Sequence, residues 1–153
     1  MVTVVKPDEI EKYIGYEAPP TEWHTVTQAQ IDQFADCTID HQFIHVDPEK
    51  AKQTPFGTTI AHGFLSLSML SYFAASFLVM LEGTTMAVNS GFDKVRFLAP
   101  VKVDKRIRAL SKVTSIKQTK PGQFRVMTNV TVEIEGESTP ALIADWIGIQ
   151  FTA

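Results

Sequence analysis

The feature that most limits what this chain can fold into is the alternation Val126, Thr128, Val130, Val132, Ile134. Period two puts these side chains on one face of an extended strand, and that face must be covered by something apolar. Residues 106–119 and 141–152 are likewise rich in Val, Ile and Thr, and Val95 and Phe97 alternate with charged neighbours ahead of Pro100. Lys120-Pro121-Gly122 and residues 136–140 supply turns. Four long strands joined by short connections predict an antiparallel sheet.

The cover for such a sheet is the most apolar stretch of the chain, residues 64–81, entered through His62-Gly63 and closed by Gly83. It is just long enough to cross a bilayer, but it carries Ser66, Ser68, Ser71 and Ser76 and lacks flanking Lys or Arg anchors. A helix that is apolar nearly all round also suits the centre of a soluble domain. The expectation is therefore one long central helix wrapped by a curled sheet, an α+β architecture. With 153 residues the chain fits a single domain over 1–153, large enough to bury a core without metal or disulfide support.

Upstream, residues 7–13 read as a short helix stopped near Gly15, and residues 21–26 as a short strand. Thr27 caps a second helix, with Gln30 placed to reach back to it and Ile31, Phe34 and Ala35 forming its buried stripe. Residues 38–47 read as an ordered loop. Asp47-Pro48 then restarts a short helix, which Thr54-Pro55-Phe56-Gly57 ends.

Composition narrows the function classes. A net charge of −3 and the absence of a dense basic run give no case for nucleic acid. Cys37 is the single cysteine, which rules out an intrachain disulfide and a cysteine-only zinc site and fits a reducing cytoplasm. The first thirteen residues carry Lys6, Asp8, Glu9, Glu11 and Lys12 and no apolar core like that of a secretory signal, so a cytoplasmic protein without a membrane segment is expected. A glycine-rich phosphate loop and a Gly-x-Ser-x-Gly elbow are both absent.

What chemistry there is gathers in Asp40-His41-Gln42-Phe43-Ile44-His45 and Ile60-Ala61-His62-Gly63. A carboxylate and an imidazole five positions apart can grip one water if the loop folds back, one taking a proton and the other delivering one to an adjacent carbon. Taken singly, Asp40 also reads as a capping carboxylate and His45 as a structural histidine. Gly63 opens a helix whose first N–H groups have no internal partners, donors that suit a carbonyl oxygen gaining charge. A glycine there also lets a ligand approach the backbone, or simply allows a tight helix entry. Ser71, two turns further on, could orient one of the pair or bond back to its own helix. A metal bound by His41, His45, Asp40 and Asp47 is disfavoured, because the segment has neither a helical pattern nor the Glu of a zinc-protease motif.

The segment D-H-Q-F-I-H-V-D-P-E-K-A over 40–51 resembles the signature of the MaoC-like dehydratases, the group containing (R)-specific enoyl-CoA hydratases. Asp40, Ile44, His45 and Ala51 fall at its positions. I-A-H-G-F-L over 60–65 resembles the family's second block, and residues 97–101 its aromatic-x-x-Pro-Val strand. Gln42 stands where Asn is usual and Phe43 where Pro is usual. These departures, with residues 88–101, look more like the branch of nodulation protein N-like proteins.

The resemblance implies a hot dog fold paired as a homodimer, and reversible hydration of a trans-2-enoyl-CoA to an (R)-3-hydroxyacyl-CoA. By it Asp40 and His45 are the catalytic pair, Gly63 supplies the oxyanion-binding amide, and Ser71 is the supporting serine. Gln42 and His62 complete the substrate-binding set. It implies no cofactor and no metal, coenzyme A entering only as part of the substrate. Lys94, Arg96, Lys102 and Lys105 are candidates for its charged end. Thioester hydrolysis and non-catalytic acyl-thioester binding are the other readings a hot dog protein allows.

Overall fold

The computed structural model describes residues 2–153. The long strands form where alternation predicts them: β5 Thr84–Phe97, β6 Arg106–Lys120, β7 Gln123–Ile134 and β8 Leu142–Thr152. Two short strands, β2 Glu17–Ala18 and β3 His24–Thr25, both pair with β6. The antiparallel order is β2-β6-β7-β8-β5, so β5 lies at an edge. Every second residue of β7 is buried, from Phe124 to Ile134, and Ile107 and Ala109 of β6 and Leu142 and Ala144 of β8 extend that face.

The expected single helix is two. α4 Gly63–Ser68 and α5 Leu70–Phe77 meet at Met69 and press Leu65, Leu70, Phe73 and Phe77 into the sheet. Helix then stops short of the predicted end. Leu78 turns extended, and residues Val79–Leu81 form β4, parallel to β1 Thr3–Val5. The cause is a side chain from the other end of the sequence. Buried Gln150 donates to the Val79 carbonyl at 2.7 Å and accepts from the Leu81 N–H at 2.8 Å, pairing the backbone of β4 on its inner edge. An apolar run with no period is compatible with helix or strand, and here a tertiary contact decides. Among the described residues, no helix is long and apolar enough to cross a membrane.

Pro7–Tyr13 is a 3-10 helix followed by Gly15 at φ +90°, as the stop signal required. Thr27 caps α1 Gln28–Thr38 by accepting the Gln30 N–H. The Gln30 side chain does not reach back, however. It bonds His24 Nε2 and Met69 Sδ instead. Residues 38–47 are not loop throughout: Phe43–Val46 forms one helical turn, α2, and Asp47 caps the equally short α3 Pro48–Ala51.

Candidate active site

The site is built by the end of α1, the turn of α2 and the entry to α4. α1 ends on Ile39 in the left-handed region (φ 61°, ψ 26°), a C-cap conformation that glycine usually takes. The reversal it produces directs the chain toward His62. Asp40 follows, its Oδ1 accepting the Gln42 N–H at 3.4 Å, an Asx turn that leads into α2. Ile60 N–H bonds the Ile44 carbonyl at 3.0 Å, and this stitch lays the segment before α4 against α2.

The fold-back needed for Asp40 and His45 to act together is present. A carboxylate oxygen of Asp40 and one ring nitrogen each from His45 and His62 lie within 4.8 Å of one another. Two acceptors at such a separation can share one water, each bond being about 2.8 Å. His45 is 7% exposed, whereas the Asp40 side chain is 55% exposed, so only the imidazole is withdrawn from solvent.

The hydrogen bonds assign the proton on His45. Nδ1 lies 2.7 Å from the Ile60 carbonyl, which can only accept, so Nδ1 carries the hydrogen and Nε2 keeps its lone pair in the neutral ring. Burial pushes the imidazole below the ordinary histidine range. The Ile60 carbonyl works against that, while His62 adds to the depression and Asp40 opposes it. His45 is thus a neutral base near pH 7, with its free nitrogen fixed by what its other nitrogen does.

His62, expected in the substrate-binding set, has another place. It is 3% exposed, its ring stacked on His45 at 3.8 Å between centroids and tilted against Phe34 at 5.0 Å. Its Nε2–H donates to the Asp40 carbonyl at 3.0 Å. The side chain therefore braces Asp40 and His45 from behind. Its Nδ1 is buried without a partner among the described residues.

The stack also bears on metal binding. Ring lone pairs lie in the ring planes, and planes only 23° apart do not aim them at one point. An ion would require one ring to turn and His62 to release Asp40. The other proposed ligands are dispersed: His41 pairs with Asp36 at 2.8 Å and Asp47 caps α3.

Gly63 begins α4, and no carbonyl among the described residues accepts its N–H. The tight contact at this glycine is with a side chain of the protein itself: a Cβ would meet the Phe97 ring at 3.1 Å. His45, Gly63, Ser66, Phe97, Pro100 and Ala141 contribute to the lining of one cavity of about 330 Å³. Ser71 is not in it. From α5 it faces a second cavity of about 180 Å³, with Ala74, Leu78 and Trp146. Ser71 sits on a different helix segment beyond the break at Met69, whereas Ser66, one turn from Gly63, keeps to the site's face. Buried Ser66 is the serine that lines the cavity with His45 and Gly63.

Gln42 is exposed, and its side chain has no hydrogen bond among the described residues. Of the candidate cations, Lys105 is engaged by Glu137 at 3.1 Å and Arg96 bonds the Val95 carbonyl. Gln28 and Thr59 are not found by sequence reasoning: Gln28 bonds the His45 carbonyl, and the Thr59 hydroxyl bonds Gln28 in turn.

Comparison with known proteins agrees with this geometry. Residues 9–136 match the MaoC like domain family. The chain is 50% identical over 143 residues to nodulation protein N of Rhizobium leguminosarum, covering 92% of this chain and 88% of the relative. It is 43% identical over 133 residues to 3-hydroxyacyl-thioester dehydratase Z of Mycobacterium tuberculosis, covering 87% of each. Among solved structures, a monoamine oxidase regulatory protein of Archaeoglobus fulgidus superposes with a TM-score of 0.78 at 27% identity, over 99% of both chains. The architecture is accordingly the hot dog fold, and the chain belongs to the MaoC-like family of hydratases and dehydratases.

Proposed function

We propose that the protein reversibly hydrates a trans-2-enoyl thioester of coenzyme A to the (R)-3-hydroxyacyl thioester. The observation that carries this reading is His45: a buried, neutral imidazole whose Nδ1–H is committed to Ile60, within 4.8 Å of the Asp40 carboxylate and lining an apolar cavity. The names of relatives at comparable identity include a 3-hydroxyacyl-thioester dehydratase and nodulation protein N.

In this reading one water is held between Asp40 and His45. As its oxygen bonds the β-carbon, His45 Nε2 takes one of its protons, and the electron pair of the double bond moves toward the thioester carbonyl. The Gly63 N–H stabilises the charge on that oxygen. The imidazolium then gives its proton to the α-carbon, so that one water has been added and His45 is again neutral. Asp40 accepts a hydrogen bond from the water's other hydrogen, which stays on the new hydroxyl, and steadies the transient imidazolium. Ser66, which lines the same cavity, would bond the thioester or the water. The steps use no metal or redox cofactor.

A homodimer belongs to the same reading. β5 pairs only with β8 among the described residues and exposes Met86 and Val88, with Phe97 and Leu98 at its end. An unpaired edge fourteen residues long is best covered by a second copy of itself.

The test is the conjugated enoyl absorbance of trans-2-enoyl-CoA substrates across several chain lengths, with free thiol followed in parallel. Loss of absorbance without thiol release is expected. Thiol release would select thioester hydrolysis, and saturable binding without either change would select a non-catalytic acyl-thioester binder.

A further inference from the structure

Gln28, in the first turn of α1, joins two pieces of backbone that bear on His45. Its Nε2 donates to the His45 carbonyl at 2.7 Å and to Asp32 Oδ1 at 2.8 Å, and its Oε1 accepts the Thr59 hydroxyl at 2.5 Å. Two oxygens on one side and a hydroxyl donor on the other permit a single orientation of the amide. Thr59 is 1% exposed and immediately precedes Ile60, whose carbonyl takes the Nδ1–H of His45. The Thr59 carbonyl accepts the Val103 N–H at 3.0 Å, which anchors this segment to the loop before β6. The bonds close a circuit from the His45 main chain through Gln28, Thr59 and Ile60 back to the His45 ring.

We infer that Gln28 and Thr59 are positioning residues, which hold the Ile60 carbonyl against His45 so that the ring keeps its hydrogen on Nδ1 and presents Nε2 to the cavity. Neither side chain bonds the ring itself. Gln28 fixes where the histidine's backbone lies, and Thr59 fixes where its orienting carbonyl lies. A free imidazole exchanges its proton between the two nitrogens, and a base with its proton on the wrong nitrogen cannot take one from water. The inference rests on His45 being the proton acceptor of the proposed reaction.

Thr59→Val removes the hydroxyl at nearly constant shape, Thr59→Ser keeps it, and Gln28→Met removes the amide. Two readouts separate positioning from simple packing. Long-range proton–nitrogen NMR correlations of the His45 ring report its tautomer without turnover. Hydration kinetics on a trans-2-enoyl-CoA report kcat apart from KM. The wild type and Thr59→Ser should show the Nδ1–H form alone. Thr59→Val and Gln28→Met should show a mixture of tautomers and a kcat lower by on the order of 10- to 100-fold, with KM changed far less. If Thr59→Val does not fold, Gln28→Met decides by the same readings. Folded variants that lose stability yet keep the single tautomer and the wild-type kcat would overturn the inference. A tautomer shift in a protein with no hydratase activity would uphold the positioning and overturn the proposed reaction instead.

Discussion

β7 and the segment from Ile39 to Gly63 are held in place by different means. β7 has a ladder partner on each side, and its buried face, Phe124 to Ile134, is apolar but for Thr128. Between Ile39 and Gly63, half of the buried residues are polar: His45, Thr59 and His62 beside Ala51, Ile60 and Ala61. Isolated backbone bonds hold that segment, such as Ile60 N–H to Ile44 and Val103 N–H to Thr59. Single bonds from side chains to backbone act together with them, Gln28 to His45, His45 to Ile60 and His62 to Asp40. Stability in the sheet is shared among many equivalent contacts. In the site segment the side-chain bonds also orient Asp40 and His45, so under the proposed reaction loss of one is felt first in chemistry.

The largest effect that sharpens this contrast lies at the helix–sheet core. Phe73, 1% exposed in the main cluster, should cost about 3–5 kcal/mol of stability on change to alanine. Urea unfolding checks the loss, and hydration per folded molecule should stay within about twofold of wild type. A large fall in that rate would mean that core and site are not separable.

A smaller effect of opposite sign is expected at Ile39. This β-branched residue holds a left-handed conformation and is 85% exposed, so its side chain contributes little packing. Ile39→Gly should stabilise the protein by about 1 kcal/mol, relief of backbone strain outweighing the greater freedom of glycine in the unfolded chain. A lower thermal midpoint would show that Ile39 makes contacts worth more than the strain.

The smallest effect is in the pH dependence of stability. His45 in the folded protein lies below its unfolded value of 6.5. Between the two values the unfolded chain takes up a proton that the folded chain does not. Stability from this group is therefore complete above about pH 6.5, declines as pH falls toward the folded value, and levels off below it. Urea unfolding across that window should show the decline in wild type and less of it in His45→Gln. Equal slopes would contradict the assignment of a buried neutral ring.

These two regions also differ in how far sequence alone describes them. Val126, Thr128, Val130, Val132 and Ile134 announce β7 because a local period is repeated several times. The end of the central helix was misplaced because residues 78–81 have no period, and Gln150, nearly seventy residues away, settles their state. Asp40, His45 and Gly63 were legible through their two blocks and the family those blocks resemble. Ser66 and Ser71 look alike on a helical spacing until the break at Met69 separates them. His62 gave no sign that its ring would stack on His45. Gln28 and Thr59 were illegible for a similar reason: their partners lie 17 and 31 positions off, where no short motif reaches.

The most direct measurement is the rate of trans-2-enoyl-CoA hydration by His45→Gln and Asp40→Asn against wild type, each at equal concentration of folded protein. Both variants should unfold near the wild-type midpoint and hydrate on the order of 10²- to 10⁴-fold more slowly, the range expected for losing a general acid–base group. Folded variants that retain the wild-type rate would contradict the assignment of the chemistry to this pair.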